Sequence, residues 1–310
     1  MNDPFISVVI PIFNEEKNIN PLLQRLIPIV NKSRYEIIFV SDGSTDQSET
    51  IVKKAAEKNK NIKLVAFQRN FGHQMALTCG YQMAKGDVVV SIDADLQDPP
   101  EIIAKMINEW QRGAKIVYAQ RKERQDEGWF KKISARIFYR LINFLSDVPI
   151  PNDVGDFRLL DRQVVNFINN LPERSRFLRG LVAWPGFSAS YIYFKREKRH
   201  SGQTHYPLSK MVNFALEGII SFSVKPLRLA SYLGFFTALF GFLGIIYALY
   251  QRLFLPHQYW VTGWTALFVA IIFLGGIQLI TIGIIGEYIG KIYQQLQNRP
   301  FYLIKEKVNL

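Results

Sequence analysis

Residues 88–101, VVVSIDADLQDPPE, decide how this chain folds. The β-branched run Val88-Val89-Val90-Ser91-Ile92 stops at Asp93-Ala94-Asp95, and Pro99-Pro100 closes the stretch. A short apolar run of this kind reads as a strand covered on both faces. The two aspartates then stand at its carboxyl end. Carboxylates one residue apart at such a point suit a hard divalent cation, and Mg2+ in particular takes one or two carboxylates plus substrate phosphates. Aspartate is also common in turns, so it is the preceding strand and the following prolines that give this pair its weight.

The same pattern extends outward in both directions. Apolar runs at 7–12, 36–41, 63–67, 87–92 and 115–119 predict strands, and helical patterns lie near 15–31, 45–58, 73–84 and 99–111. This alternation predicts an α/β domain with a largely parallel sheet, whose ligands sit at the carboxyl ends of the strands. Polar punctuation falls at those ends: Asn14 and Glu15, then Asp42, then Asp93 and Asp95. Asp42-Gly43-Ser44-Thr45-Asp46 reads as a helix cap, and Asp42 is also placed to accept hydrogen bonds from a nucleobase or ribose. In Asp153-Val154-Gly155-Asp156-Phe157-Arg158 a glycine between carboxylates suggests close approach of a ligand. The basic stretch 196–206, REKRHSGQTHY, reads either as a phosphate clamp or as a solvated loop. There is no G-x-x-x-x-G-K-[ST], G-x-G-x-x-G or H-E-x-x-H, so phosphate-loop ATPase, dinucleotide and zincin readings lose their main support.

Composition adds a second theme. The chain has 310 residues, 48% of them hydrophobic, a formal net charge of +12 and a single cysteine, Cys79. Disorder, an intramolecular disulfide and a cysteine-based zinc site are excluded, and the basic balance favours anionic partners. Across the 58 residues 229–286 the only formally charged side chain is Arg252. The runs 229–250 and 263–286 are each long enough to cross a hydrocarbon layer of about 30 Å; the alternative is a buried helical hairpin. Lys225 and Arg228 precede the first run, and Lys291, Arg299, Lys305 and Lys307 follow the second. The positive-inside rule therefore predicts both termini in the cytoplasm. Residues 1–15 lack the basic start and apolar stretch of a signal peptide. A nucleic-acid partner would explain the charge but neither the apolar runs nor the D-x-D, and none is expected. Residues 129–145 and 209–224 are amphipathic, which suits an interfacial helix beside a membrane anchor or a core-facing helix with a basic solvated face.

Six ordered stretches, VVIPIFNEE (8–16), DGSTD (42–46), RNFGH (69–73), DADLQDPPE (93–101), GDFRLLDR (155–162) and RHSGQTHYPLSKM (199–211), resemble family 2 glycosyltransferases of the GT-A fold. More narrowly they resemble the polyprenyl-phosphate glycosyltransferases, the group of dolichol-phosphate mannose synthase and the bactoprenol glucosyltransferases. GEYIGKIY (286–293), after two apolar runs, is similar to the bacterial glucosyltransferase branch. The resemblance implies a Rossmann-like GT-A domain over 1–208, an amphipathic juxtamembrane segment over 209–228, a two-helix anchor over 229–290 and a cytoplasmic tail over 291–310.

It also implies roles. Pro11, Phe13, Glu15, Asp42 and Asp93 match positions around the donor nucleotide. Asp93, Asp95 and Gln97 match the metal-diphosphate motif, with Mg2+ or Mn2+ as the ion. Asp156 matches the acidic residue near the reacting centre. Arg121, Arg199, Thr204 and His205 match positions that contact phosphate, and Ser134 and Arg136 fall where relatives hold lipid phosphate. Thr204-His205-Tyr206 departs from the family's Ser-Lys-Tyr, which puts an imidazole where a lysine is common, and Tyr118-Ala119-Gln120 precedes Arg121 where a glycine is frequent. The Q-x-x-R-W of processive synthases is absent, which implies one sugar per turnover. The implied reaction is inverting transfer of one hexose, glucose from UDP-glucose or mannose from GDP-mannose, to a polyprenyl phosphate at the cytoplasmic membrane face. The implied assembly is a homo-oligomer, a tetramer among the options. A non-catalytic sugar-nucleotide-binding scaffold is the alternative of a different class.

Overall fold

Every residue of strand β1 (Ile6–Ile12) is buried, because the strand has a helical layer to meet on each face. Ile6, Val8, Ile10 and Ile12 face one core and Val9 the other, the period of two that a pleated strand imposes. The computed structural model describes residues 3–121, 154–174, 176–195, 223–254 and 263–310. β2 (Tyr35–Ser41), β3 (Ile62–Phe67), β4 (Val88–Ser91) and β5 (Ile116–Arg121) lie within one or two residues of the predicted runs. Helices α1 (Ile19–Val30), α2 (Ser48–Lys58) and α4 (Ile102–Gln111) cover one face through Leu22, Leu26, Val52, Ala56, Ile103 and Met106. On the other face α3 (His73–Met83), α5 (Arg162–Asn170) and α6 (Leu178–Ala183) bring Ala76, Leu77, Val164, Ile168, Leu178 and Leu181.

Three helices start later than their sequence pattern predicts, α4 at Ile102 among them, and for α1 and α2 the contacts show why. α1 begins at Ile19 and α2 at Ser48, because the residues before them hold each other. The Asn14 side chain accepts from the Thr45 amide at 2.8 Å, and the Glu15 amide donates to the Ser48 hydroxyl at 2.9 Å. The Asp46 carboxylate takes the Glu16 and Ser48 amides. Backbone donors that a helix would leave orphaned are thus paired across two loops.

With β6 (Val154–Asp161), β7 (Ala189–Phe194) and β8 (Ile304–Val308), the sheet has eight strands in the order β7-β5-β6-β4-β1-β2-β3-β8. β4, β1, β2 and β3 are mutually parallel neighbours. The chain leaves β1 toward β2 and β3, then returns to the far side of β1 with β4, which creates a switch point between β1 and β4. β6 runs antiparallel between β4 and β5, with Ser91 opposite Arg158. That register carries Asp156 to the same sheet edge as Asp93.

Helices α7 (Lys225–Phe254) and α8 (Trp264–Leu296) contain the two apolar runs. Only 6% and 0% of their apolar windows are buried, so they are not core helices of the described domain. Apolar all round and exposed along their apolar windows, they are candidate membrane spans. α8 continues past 290 to Leu296, and the segment read as a tail is not a loose one: its residues Ile304–Val308 are β8, antiparallel to β3. Pairing satisfies the edge of β3, which would otherwise expose a row of backbone donors and acceptors. Since β8 follows the hairpin and β3 precedes it, the chain beyond the hairpin returns to the sheet built before it. The amphipathic stretch 129–145 and residues 209–222 lie outside the described residues.

Candidate active site

The site is built at the switch point, where the ends of β1, β2 and β4 meet the start of β6. Asp42, one residue past β2, is bonded to β1 by its amide, which donates to the Ile12 carbonyl at 2.9 Å. Its carboxylate accepts the amides of Phe71 at 2.6 Å and Gly72 at 2.9 Å. Burial pushes the Asp42 carboxyl up; those two amides and the nearby His73 oppose the shift without cancelling it. Gly43 has φ +72°, and a Cβ there would lie 2.6 Å from the Arg69 carbonyl carbon, so the 42–46 turn and the 69–73 loop touch backbone to backbone. Around this turn stand Pro11, buried within β1, and Phe13, 47% exposed beyond its end. The Glu15 carboxylate accepts from Asn18 Nδ2 at 2.5 Å. Pro11, Phe13, Glu15 and Asp42 are therefore brought together.

Past β4, Leu96 adopts φ +61°, a left-handed turn that is uncommon for any residue but glycine. The turn folds the Gln97 amide back onto Asp95 Oδ1 at 3.1 Å. Asp98 is buried 3.8 Å from Arg121 Nη2. Gly155 permits this: a Cβ there would stand 3.2 Å from Arg121 Nη2. The close approach that the glycine predicted is made, in the described structure, by Arg121.

Asp156 is buried beneath three cations. Its Oδ1 accepts from Arg158 Nη2 at 3.1 Å, and its Oδ2 from Arg179 Nη2 at 3.2 Å and from His73 Nε2 at 3.2 Å. Burial alone would raise the Asp156 carboxyl, but Arg179, then His73 and Arg158, outweigh it and hold the group well below the ordinary carboxylate range. His73 is the converse. Burial would lower it, but the bond to Asp156 and the charges of Asp93 and Asp156 push it up to about 9. His73 Nε2 also lies 3.8 Å from Asp93 Oδ1 and so bridges the two carboxylates. Asp93 itself is raised by burial first, and His73 relieves it only partly against the neighbouring Asp156 and Asp95. Below the cluster, Tyr81 Oη donates to Ser91 Oγ at 3.0 Å, and Ser91 Oγ donates to the Asp156 carbonyl at 2.5 Å. Arg158 Nε reaches Tyr81 Oη at 3.4 Å.

Sequence reasoning missed His73, Arg158 and Arg179 as site residues. The first two sit inside quoted motifs, RNFGH and GDFRLLDR, so a signal existed. Arg179 carries none, because it reaches the site from α6, on a different layer of the fold. Ser134, Arg136, Arg199, Thr204 and His205 lie outside the described residues.

The comparisons with known proteins follow this architecture. The profile described as glycosyl transferase family 2 matches residues 7–168, from the start of β1 through α5. This chain is a family 2 glycosyltransferase. Its GT-A sheet, Rossmann-like and mostly parallel, accounts for the element order above. A second profile, described as the GtrB C-terminal hairpin, matches residues 225–292, the span of α7 and most of α8. The glycosyltransferase is 44% identical to an uncharacterized glycosyltransferase of Bacillus subtilis (strain 168) over 98% of this chain and 94% of that one. It is 42% identical to the bactoprenol glucosyl transferase of Shigella phage SfII over 97% of each chain. A prophage bactoprenol glucosyl transferase homolog of Escherichia coli (strain K12) is 40% identical over 97% and 98%. Among solved structures, glucosyl-3-phosphoglycerate synthase of Mycobacterium tuberculosis shares 19% identity over 70% of this chain and 78% of that one, with a TM-score of 0.49, a likeness too loose to carry residues or ligands across.

A divalent cation fits the donor set that the glycosyltransferase offers. Among the described residues no three His, Cys, Asp or Glu side chains gather into a complete ligand cage. Asp93 and Asp95 stand one residue apart just past the end of β4 and would supply two carboxylates. Two carboxylates with the remaining positions left to phosphate and water is the set Mg2+ accepts.

Proposed function

We propose that the glycosyltransferase moves a single glucose from UDP-glucose to a polyprenyl phosphate at the cytoplasmic face of the membrane, with inversion at the anomeric carbon. One observation carries this reading. An acid–cation cluster around the buried Asp156, at the sheet's carboxyl edge, shares a chain with two exposed apolar helices, and the segment after those helices is anchored back on the same sheet. A lipid-borne anionic acceptor suits both features, and the names of the bactoprenol glucosyl transferase relatives agree with it.

Pro11, Phe13, Glu15 and Asp42 would cradle the nucleotide, with Asp93 at its diphosphate. Asp93, Asp95 and Gln97 would hold Mg2+ or Mn2+. When bound, the ion supplies positive charge against the departing diphosphate. Arg121, Arg199, Thr204 and His205 would meet phosphate, with Ser134 and Arg136 toward the lipid. Asp156 is suited to electrostatic positioning rather than to taking a proton. Its two oxygens already receive three cationic donors, which hold it ionised. A phosphate monoester has its second pKa near about 6, so at neutral pH the acceptor is mostly a dianion and needs no base. Asp156 would instead hold His73 and Arg179 and stabilise positive charge developing at the anomeric carbon. The basic flanks of the hairpin support a reading with both termini in the cytoplasm under the positive-inside rule, and the hairpins would associate as a homo-oligomer.

The test uses membranes carrying the full chain, radiolabelled UDP-glucose and undecaprenyl phosphate, with Mg2+, Mn2+ or chelator, beside Asp95→Ala. Labelled lipid that requires both the metal and Asp95 is the expected result. Label transferred from GDP-mannose and not from UDP-glucose would overturn the donor. Absence of lipid-linked sugar from either donor, in a folded protein, would overturn the reaction.

A further inference from the structure

The stretch that leaves the second apolar helix touches both loops that bring cations to Asp156. His73 arrives on the loop after β3. Within that loop Phe67 and Phe71 meet edge to face at 5.8 Å, and the Phe71 and Gly72 amides bind Asp42. Tyr302 stacks on Phe67 at 4.7 Å with 12° between the rings, and its hydroxyl donates to Gln82 Oε1 on α3, the helix that His73 begins. The Gln68 amide, at the root of the same loop, donates to the Leu303 carbonyl at 2.9 Å.

Arg179 arrives on α6, after the 171–177 connection, and that connection is held by the same stretch. Gln295 Oε1 accepts the Arg174 amide at 2.7 Å, and Gln295 Nε2 donates to the Pro172 carbonyl at 3.0 Å. Arg174 Nη2 donates to Asn298 Oδ1. The Phe301 ring receives both guanidinium groups, Arg176 at 4.7 Å and Arg174 at 5.2 Å. Arg176 is buried and ties back to the Ile168 and Leu171 carbonyls at 2.8 Å. Finally the two loops lock together beside the site, where the Leu178 amide donates to Gln74 Oε1 at 3.1 Å.

We propose that residues 295–302 are a positioning element for the reaction: Tyr302 sets the loop that carries His73, and Phe301 with Gln295 sets the connection that carries Arg179. Neither aromatic ring reaches the reacting atoms; each acts through the loop it supports. The seat of the membrane hairpin and the geometry around Asp156 are then fixed by one short piece of chain. This rests on the reading of the Asp156 cluster as the transfer site.

The full-length protein in lipid nanodiscs tests it with Tyr302→Ala, Tyr302→Phe and Phe301→Ala. Each variant is measured for kcat and KM of glucose transfer and for amide hydrogen exchange resolved by peptide. Misplacing positioned groups by fractions of an ångström lowers turnover steeply, so Tyr302→Ala and Phe301→Ala should each lose about tenfold or more in kcat with a smaller change in KM. Tyr302→Phe keeps the stacked ring and should stay within about twofold of the parent. Exchange should rise in peptides covering 68–74 for Tyr302→Ala and in those covering 171–180 for Phe301→Ala, each without the other. Unchanged kcat in both alanine variants, or a rise in exchange spread evenly over the sheet, overturns the proposal. A parent protein that transfers no glucose overturns the functional reading instead. Exchange then decides the positioning alone: loop-specific release supports it and its absence overturns it.

Discussion

The two halves of the sheet deliver opposite charges to one edge. β1 to β4, mutually parallel and mostly apolar, lead to Asp42, Asp93 and Asp95. β5 to β8 and their helices, in which antiparallel pairings dominate, bring Arg121, Arg158 and Arg179. One residue from each half departs from this rule, His73 in the first and Asp156 in the second, and these two are bonded to each other at 3.2 Å. Neither half makes a site alone. The acids without the cations would repel one another, and Arg158 without Asp156 would keep its charge buried without a carboxylate partner.

The comparison can be broken most severely at Arg158. It is fully buried, bonded to Asp156 and to Tyr81, and its removal leaves a buried carboxylate one cation short. Arg158→Met should destabilise the folded domain by about 3 kcal/mol, read as a shift of the denaturant midpoint at unchanged slope. The matching test in the first half is Gly43→Ala. Its left-handed backbone and the 2.6 Å approach of Arg69 leave no room for a methyl group. A loss of about 2 kcal/mol is expected by the same measurement.

A third test sharpens the contrast between the two edges of the sheet. At the edge away from the site, Glu36 receives Ser7 Oγ at 2.5 Å, Lys63 Nζ at 2.6 Å and the Lys85 amide at 2.6 Å. Burial pushes its carboxyl up, but Lys63 and the other donors outweigh burial and hold it below the usual 4.5. A carboxyl depressed in the folded state stabilises fully above its unfolded pKa and loses that contribution as pH falls through the folded value. Acid unfolding below pH 4.5 should therefore be less steep in Glu36→Gln than in the parent. The smallest effect belongs to the rim of β8. Lys305 and Glu49 pair at 3.3 Å with half of the lysine side chain exposed, so Lys305→Ala should cost less than about 1 kcal/mol.

How much of this was legible follows the same division. The strands from β1 to β5 announce themselves as largely apolar runs, since a strand buried on both faces has few polar positions to confuse its pattern. Asp42, Asp93 and Asp95 were legible with them, because a parallel strand's carboxyl end is a local feature. β6 was harder: its stretch was read as a motif with Asp156 in it, not as a strand set antiparallel between β4 and β5. β8 was read as tail, because IKEKV alternates in the manner of an edge strand whose value depends wholly on the partner it finds. Arg179 had no sequence signal at all.

The sequence by itself determined the α/β class, the acidic strand ends and the two long apolar helices, which rest on composition and spacing over short distances, while the family rests on the resemblance carried by six ordered motifs. Only the tertiary structure decided which strand lies beside β4, that Asp156 is held ionised by His73, Arg158 and Arg179, and that the chain beyond the hairpin returns to close the sheet. His73 and Arg179 lie 83 and 23 positions from Asp156, and Lys53 pairs with Glu306 across 253 positions. The register of such contacts is set by packing across layers, which no local run of residues encodes.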